Sequence, residues 1–196
     1  RECGLSLCAK APPGQKTGAY HDQRENRRRV AALARATGGP LLDLGAHIGG
    51  FSLHAAREGV AALACDTSDA ALQYARRNAA ANGLHVDTLQ CDMFDGRTFR
   101  ELDALAGPFG TVVFDPPKLA PTRREVDQAV EAMTKTLTRL MSRVQDAGLL
   151  IACSCSQNIP SSTLEGALAA AALRSSTRWT RIARWGAGPD HPVALG

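Results

Sequence analysis

The chain has 196 residues, of which 44% are hydrophobic and 21% charged. That is one ordinary domain, with enough apolar material for a two- or three-layer core. No apolar run approaches the roughly 18 residues that cross a bilayer, and Arg1 to Lys10 holds no apolar stretch of secretory-signal length. The expectation is therefore a cytoplasmic protein with no membrane partner. The first residue is Arg rather than Met, so the chain reads as a fragment. A net charge of +4 favours an anionic partner such as RNA. Arg24, Arg27, Arg28 and Arg29 crowd one turn, and Arg174, Arg178, Arg181 and Arg184 lie near the end. The six cysteines include no CxxC pair, so no metal site is expected and reduced thiols fit best.

Short apolar runs alternate with helical patterns along the chain. Residues 41–44 read as a strand and 51–57 as a helix stopped by Gly59. Residues 61–65 form a second strand, and a helix follows over 68–82 with Ser68 as N-cap and Asn82-Gly83 as its stop. Residues 85–90 alternate as a third strand, 98–106 are helical, 107–110 turn and 111–114 form a fourth strand. A long helix is expected over 122–145, where Val126, Val130, Met133, Leu137, Leu140 and Val144 fall at helical spacing. Residues 149–152 are a fifth strand, Ser162 to Glu165 looks like a capping box opening the next helix, and 177–185 read as a sixth strand.

This alternation predicts an α/β fold: a Rossmann-like, doubly wound, mostly parallel sheet that takes its ligand at the carboxyl ends of the strands. Asp43, Asp66, Asp92 and Asp115 each fall at or just after the end of an apolar run, and Cys155 follows the fifth strand. Four acids and a thiol at successive strand ends converge on one edge. The loop Asp43-Leu-Gly-Ala-His-Ile-Gly-Gly50 lacks the G-x-G-x-x-G spacing that brings amides to a pyrophosphate. It suits S-adenosylmethionine (SAM), which has no phosphate. Asp66 would accept both ribose hydroxyls and Asp92 the adenine amino group. The prolines of Asp115-Pro-Pro-Lys118 fix the backbone and hold Asp115 rigidly where a substrate base would lie. Cys153 and Cys155 are two apart on an extended strand and share a face, with Cys155 nearer the edge.

At these residues the chain resembles the RlmI-type methyltransferases, which make 5-methylcytosine in large-subunit ribosomal RNA. Six segments carry the likeness in order: Gln15-Lys-Thr-Gly18, Asp22-Gln-Arg-Glu-Asn-Arg27, the Asp43 to Ser52 loop, Asp115-Pro-Pro-Lys118, Ser154-Cys-Ser156 and Asp190-His-Pro-Val193. The resemblance implies the class I SAM-dependent methyltransferase fold, its last strand missing. Residues 1–38 would be an N-terminal segment with a cofactor-covering helix, and 39–196 the catalytic core. It implies a SAM site made by Asp43, Gly45, Ala46, Gly49, Asp66, Thr67, Asp92, Met93 and Arg24. Pro116, Pro117 and Lys118 would line the substrate, Asp115 would bind the cytosine edge and Cys155 would be the nucleophile. RNA is the implied partner; the oligomeric state stays open, a homodimer being one option.

His47 and Ile48 stand where the family commonly has Tyr and Thr, and Gln157 and Asn158 also depart from it. Asp-Pro-Pro motifs of amino-group methyltransferases usually continue with an aromatic that stacks on the base, whereas here Lys118 takes that place. Two rivals remain. One is an N7-guanine ribosomal RNA methyltransferase, whose fifth-strand motif has no cysteine. The other is a non-catalytic domain that binds SAM and RNA.

Overall fold

The protein is described by a computed structural model covering residues 1–9, 18–105 and 107–188. Parts of the Gln15 to Gly18 motif, and the whole Asp190 to Val193 motif, lie outside the described residues. A short 3₁₀ turn, His21–Gln23, leads into α1 (Arg24–Thr37). Then follow β1 (Leu41–Leu44), α2 (Gly50–Arg57), β2 (Ala62–Asp66), α3 (Asp69–Ala81), β3 (Asp87–Gln90) and α4 (Gly96–Leu105). The second half holds β4 (Phe109–Phe114), a 3₁₀ turn Arg123–Glu125, α5 (Val126–Met141), β5 (Val144–Ala152) and α6 (Ser161–Ser175).

The five strands form one parallel sheet, as the alternation predicted, and their order is β3-β2-β1-β4-β5. β1 sits at its centre and all four of its residues are buried, the apolar run expected of a strand covered on both faces. One face packs Phe99, Leu102, Met133, Leu137, Leu140 and Ala171 from α4, α5 and α6. The other packs Val30, Ala34, Phe51 and Ala55 from α1 and α2. Ser68 caps α3 as read, its side chain accepting from the Ala71 amide, and Asn82-Gly83 ends the helix with Gly83 at φ +65.

Four local readings are corrected. Val144 belongs to β5 and not to the preceding helix: it pairs with Phe109, while Leu149 pairs with Thr111. The extra residues bulge outward through Ala147 at φ 59, and the Gln145 side chain donates to the carbonyl oxygens of Thr37 and Gly38 at the end of α1. Pairing across the sheet therefore overrides a helical spacing that was only local. β4 correspondingly begins at Phe109, inside the expected turn. The capping box at Ser162 is absent, because the N-cap is Pro160 and Ser162 lies within the first turn of α6. A capping box occurs instead at Thr122, whose amide and hydroxyl both donate to Glu125 (2.9 and 2.7 Å). Glu165 is engaged by Arg181 and Arg184.

Residues 177–185 form no ladder with any described strand. The segment returns from α6 to the start of α1, where Arg29 stacks on Trp185, Asn26 donates to the Gly186 carbonyl and the Gly188 amide donates to the Asp22 carbonyl.

Candidate active site

Parallel register brings the strand ends into one row. Because the order is β3-β2-β1-β4-β5, that row reads Asp92, Asp66, Gly45, Asp115, Cys155. Each loop is tied to its neighbour as it leaves the sheet. The amides of Gly45 and Ala46 donate to the Cys65 carbonyl (2.9 and 3.0 Å) and that of Asp115 to the Leu44 carbonyl (2.9 Å). The amides of Cys153 and Cys91 donate to Phe114 and Asp66 (2.8 and 3.0 Å).

Asp43 lies beneath this edge. It is fully buried, and its Oδ2 accepts from the amide and hydroxyl of Ser52 (3.0 and 2.8 Å), which ties β1 to α2. Burial pushes its carboxyl up to about 6 against the hydrogen bonds from Ser52. Above it Gly45 turns at φ +85, and a Cβ there would lie 2.1 Å from the Asp115 carbonyl oxygen and 3.3 Å from Met93 Cε. Only glycine lets the loops after β1, β3 and β4 approach so closely. Gly49, at φ +83, plays the same part against Ala75, and Ala46 is buried beside them.

Asp66 Oδ2 accepts from the His47 amide (2.8 Å) and Oδ1 from the Ser68 amide (2.9 Å), so the acid fixes the loop and keeps further acceptor capacity. Thr67 beside it is exposed. Asp92 is exposed, accepts from the Phe94 amide (2.9 Å) and borders a cleft of about 240 Å³.

On the other side, the Asp-Pro-Pro loop and the cysteine loop are stapled together. Ser156 Oγ donates to the Ala120 carbonyl (3.0 Å), and Asn158 donates to the carbonyls of Ala120 and Pro121 (2.9 and 3.1 Å). Cys155 is exposed, with its Sγ 3.9 Å from the Pro116 carbonyl oxygen. Cys153 is the deeper of the two, as the strand reading expected. Burial and the charge of Asp115 push its thiol well up, against a hydrogen bond from Gln23. Pro117 and Lys118 are exposed beside them, while Pro116 is buried.

The arginine cluster divides. Arg27 does not face an anionic partner: it is 5% exposed and its Nη1 donates to both oxygens of Glu2 (3.0 and 2.9 Å). Its Nη2 donates to the carbonyls of Ala19 and Tyr20 (2.6 and 3.1 Å). His54 Nε2 lies 3.0 Å from the same glutamate. Burial opposes ionisation of Glu2, yet the hydrogen bonds of His54 and Arg27, with the Arg27 charge, hold its carboxyl below the usual range. The first residues form a strap over α2 and α3, and the Asn78 and Asn82 side chains bond the backbone of Cys8 and Ser6. Arg28 pairs with Glu25 on the surface, and Arg24 starts α1 half-buried.

Sequence reasoning also missed Tyr20, whereas Gln23 lies inside the Asp22 to Arg27 segment that it singled out. Gln23 reaches Cys153, and Tyr20 stands against His47 with ring centroids 5.2 Å apart. For Tyr20, its place two residues before Asp22 is the one signal the chain offered.

Five parallel strands in this order, with glycine loop and acids at one edge, are the architecture of class I SAM-dependent methyltransferases. The SMU.776 methyltransferase, solved with SAH, superposes with a TM-score of 0.82 at 21% identity, over 99% of this chain and 50% of that one. The chain belongs to the methyltransferase domain family, whose sequence model matches residues 41–140. It is 36% identical to a ribosomal RNA large subunit methyltransferase of Deinococcus radiodurans, over 100% of this chain and 48% of that protein. To ribosomal RNA large subunit methyltransferase I of Shewanella frigidimarina it is 32% identical, over 98% of this chain and 49% of that protein. The chain thus spans about half the length of the relatives it matches. Among the described residues no helix is long and apolar enough to cross a membrane, and no cluster of acids, histidines and cysteines could hold a metal ion.

Proposed function

We propose that this chain is the catalytic domain of a SAM-dependent methyltransferase that modifies carbon-5 of cytosine in large-subunit ribosomal RNA, with Cys155 as nucleophile. One observation carries the reading: β4 and β5 are hydrogen-bonded neighbours, Phe114 opposite Ala152, so Asp115 and Cys155 leave the sheet side by side next to Gly45.

The residues present fit SAM. Asp43 Oδ1 is buried and has no hydrogen-bond partner among the described residues, and it lies under the glycine loop. The loop closes against Asp115 without a Cβ to fill the space. Asp43, Gly45, Ala46, Gly49, Asp66, Thr67, Asp92, Met93 and Arg24 would hold the cofactor. When bound, SAM would supply an electrophilic methyl group for carbon-5.

Carbon-5 of cytosine is a poor nucleophile, and the chain's own residues answer that. The Cys155 thiolate adds to carbon-6, forming a carbon–sulfur bond and moving the carbon-5–carbon-6 π pair toward carbon-5. The Asp115 carboxyl, protonated and donating to N3 while its other oxygen accepts from the N4 amino group, stabilises the negative charge that builds in the ring. Loss of the carbon-5 proton to a base then re-forms the double bond and expels the Cys155 thiolate. Cys153, deeper and harder to ionise, takes no part.

The test is nucleoside mass spectrometry of unmethylated ribosomal RNA incubated with the protein and labelled SAM. Cys155→Ala should lose more than the ~10²–10⁴-fold typical of a missing general acid or base, while still binding SAM. RNA carrying 5-fluorocytosine should trap the wild type and Cys153→Ala through Cys155. Near wild-type methylation by Cys155→Ala, or an adduct on Cys153, would overturn the assignment.

A further inference from the structure

The surface cations of this chain fall into two groups. Arg28, Arg35 and Arg174 are held by Glu25, Glu58 and Glu131 at 3.3, 3.4 and 3.3 Å. On the loop after β4 the pattern changes. Lys118, Arg123 and Arg124 are exposed, and their side chains make no ion pair, hydrogen bond or ring contact among the described residues. Glu125, the next acid in sequence, is taken by the capping box: it accepts from the Thr122 amide and hydroxyl (2.9 and 2.7 Å). Asp127, in the first turn of α5, pairs with neither arginine.

The backbone of this loop is fixed against the segment that carries the nucleophile. Cys155 Sγ lies 3.9 Å from the carbonyl oxygen of Pro116, two residues before Lys118. Ser156, next to Cys155, donates to the Ala120 carbonyl (3.0 Å). Asn158 donates to the carbonyls of Ala120 and Pro121 (2.9 and 3.1 Å). Arg123 follows Pro121 by two residues, so their Cα atoms are at most about 7.6 Å apart. The uncommitted cations therefore stand on the rim of the site, on a loop held by the residues that flank Cys155.

We propose that Lys118, Arg123 and Arg124 form a phosphate-binding lip that grips the RNA backbone beside the target nucleotide. The inference rests on the reading of the Cys155–Asp115 site as a nucleobase site. A base that is to meet the thiol at carbon-6 must leave its stack, and proteins hold such single strands largely by their backbone. Asp66 and Asp92 lie at the same edge of the sheet, so a phosphodiester strand needs cations on the rim to approach it. Arginine and lysine supply charge-assisted hydrogen bonds to phosphate oxygens and release counterions. The N-terminal arginines are less available for this, because Arg27 is buried on Glu2 and Arg28 pairs with Glu25.

The test compares wild type, Lys118→Gln, Arg123→Gln/Arg124→Gln and, as a control for net charge, Arg35→Gln/Arg174→Gln. Affinity for single-stranded oligoribonucleotides with and without cytosine is read by fluorescence anisotropy between about 50 and 200 mM salt, and SAM affinity by calorimetry. Each lost phosphate contact should lower the slope of log affinity against log salt by about 0.7. The arginine pair should therefore lower it by about 1.4 and weaken affinity about 10- to 30-fold at roughly 0.1 M salt. The loss should be equal on both RNAs, since a phosphate contact carries no sequence information. SAM affinity should match the wild type. Unchanged affinity and slope in the arginine-pair variant would overturn the proposal. So would an equal loss in the control, which would assign the effect to net charge, or a loss confined to the cytosine RNA, which would assign it to a base contact. A parallel loss of SAM affinity would assign it to the fold of the site, and a wild type with no salt-dependent affinity for either RNA would leave the lip without a ligand; both outcomes end the proposal. A wild type that methylates another position sinks the cytosine reading alone, because the anisotropy comparison needs no turnover.

Discussion

Replacing Arg27 with Met tests the buried centre that joins the N-terminal strap to the site. Glu2 is 4% exposed and holds its charge with bidentate help from Arg27 at 3.0 and 2.9 Å and contact with His54 at 3.0 Å. Met fills similar space but leaves the carboxylate with His54 alone and strips the Ala19 and Tyr20 carbonyls of their donor. Breaking such a pair from one side costs about 3–5 kcal/mol, a large part of the roughly 5–15 kcal/mol that holds a domain folded. Urea unfolding at pH 7, followed by circular dichroism, should show that loss. Glu2→Gln combined with Arg27→Met should cost less than the sum of the single changes by about 1–3 kcal/mol. The pH dependence follows from the sign of the shift. Glu2 is held below its usual value of 4.5, so its contribution is complete above that pH and is lost as pH falls through the lower folded value. Arg27→Met should therefore flatten the acid limb of stability. A loss under 1 kcal/mol, or strict additivity in the double variant, would refute the buried-pair account and return Arg27 to the surface.

Three further outcomes are expected. Gly45→Ala must place a methyl group 2.1 Å from the Asp115 carbonyl at φ +85; it should lose SAM binding in calorimetry and about 1–3 kcal/mol of stability or more, and wild-type behaviour would disprove the close approach. Asp66→Ala removes the acceptor of the His47 and Ser68 amides; SAM affinity should fall by about 1.5–3 kcal/mol, and an unchanged value would remove Asp66 from the cofactor site. Asp43 is raised from 3.8 to about 6 by burial, so the folded state binds the extra proton and stability falls as pH rises between those values. The loss approaches about 3 kcal/mol at 1.36 per unit, and Asp43→Asn should abolish that slope in urea midpoints from pH 4 to 8; identical slopes would contradict it.

The sequence by itself determined the alternation of strands and helices, the parallel sheet and the strand-end acids. These depend on apolar periodicity and on turn residues next to one another in the chain. Ser68, Asn82-Gly83 and Asp115-Pro-Pro117 act on their own neighbours, and so were legible. Tertiary structure decided the rest. Val144 has a helix's spacing but a strand's partner, Phe109. Ser162 looks like a cap, yet the helix begins before it, while residues 177–185 have a strand's composition and no ladder. Arg27 read as one of four exposed cations because its partner Glu2 is 25 residues away in sequence. Tyr20 meets His47 only once the loop after β1 is folded against the start of α1. Periodicity reports which face of an element is buried; which charge or ring it meets there is set by contacts between segments distant in the chain.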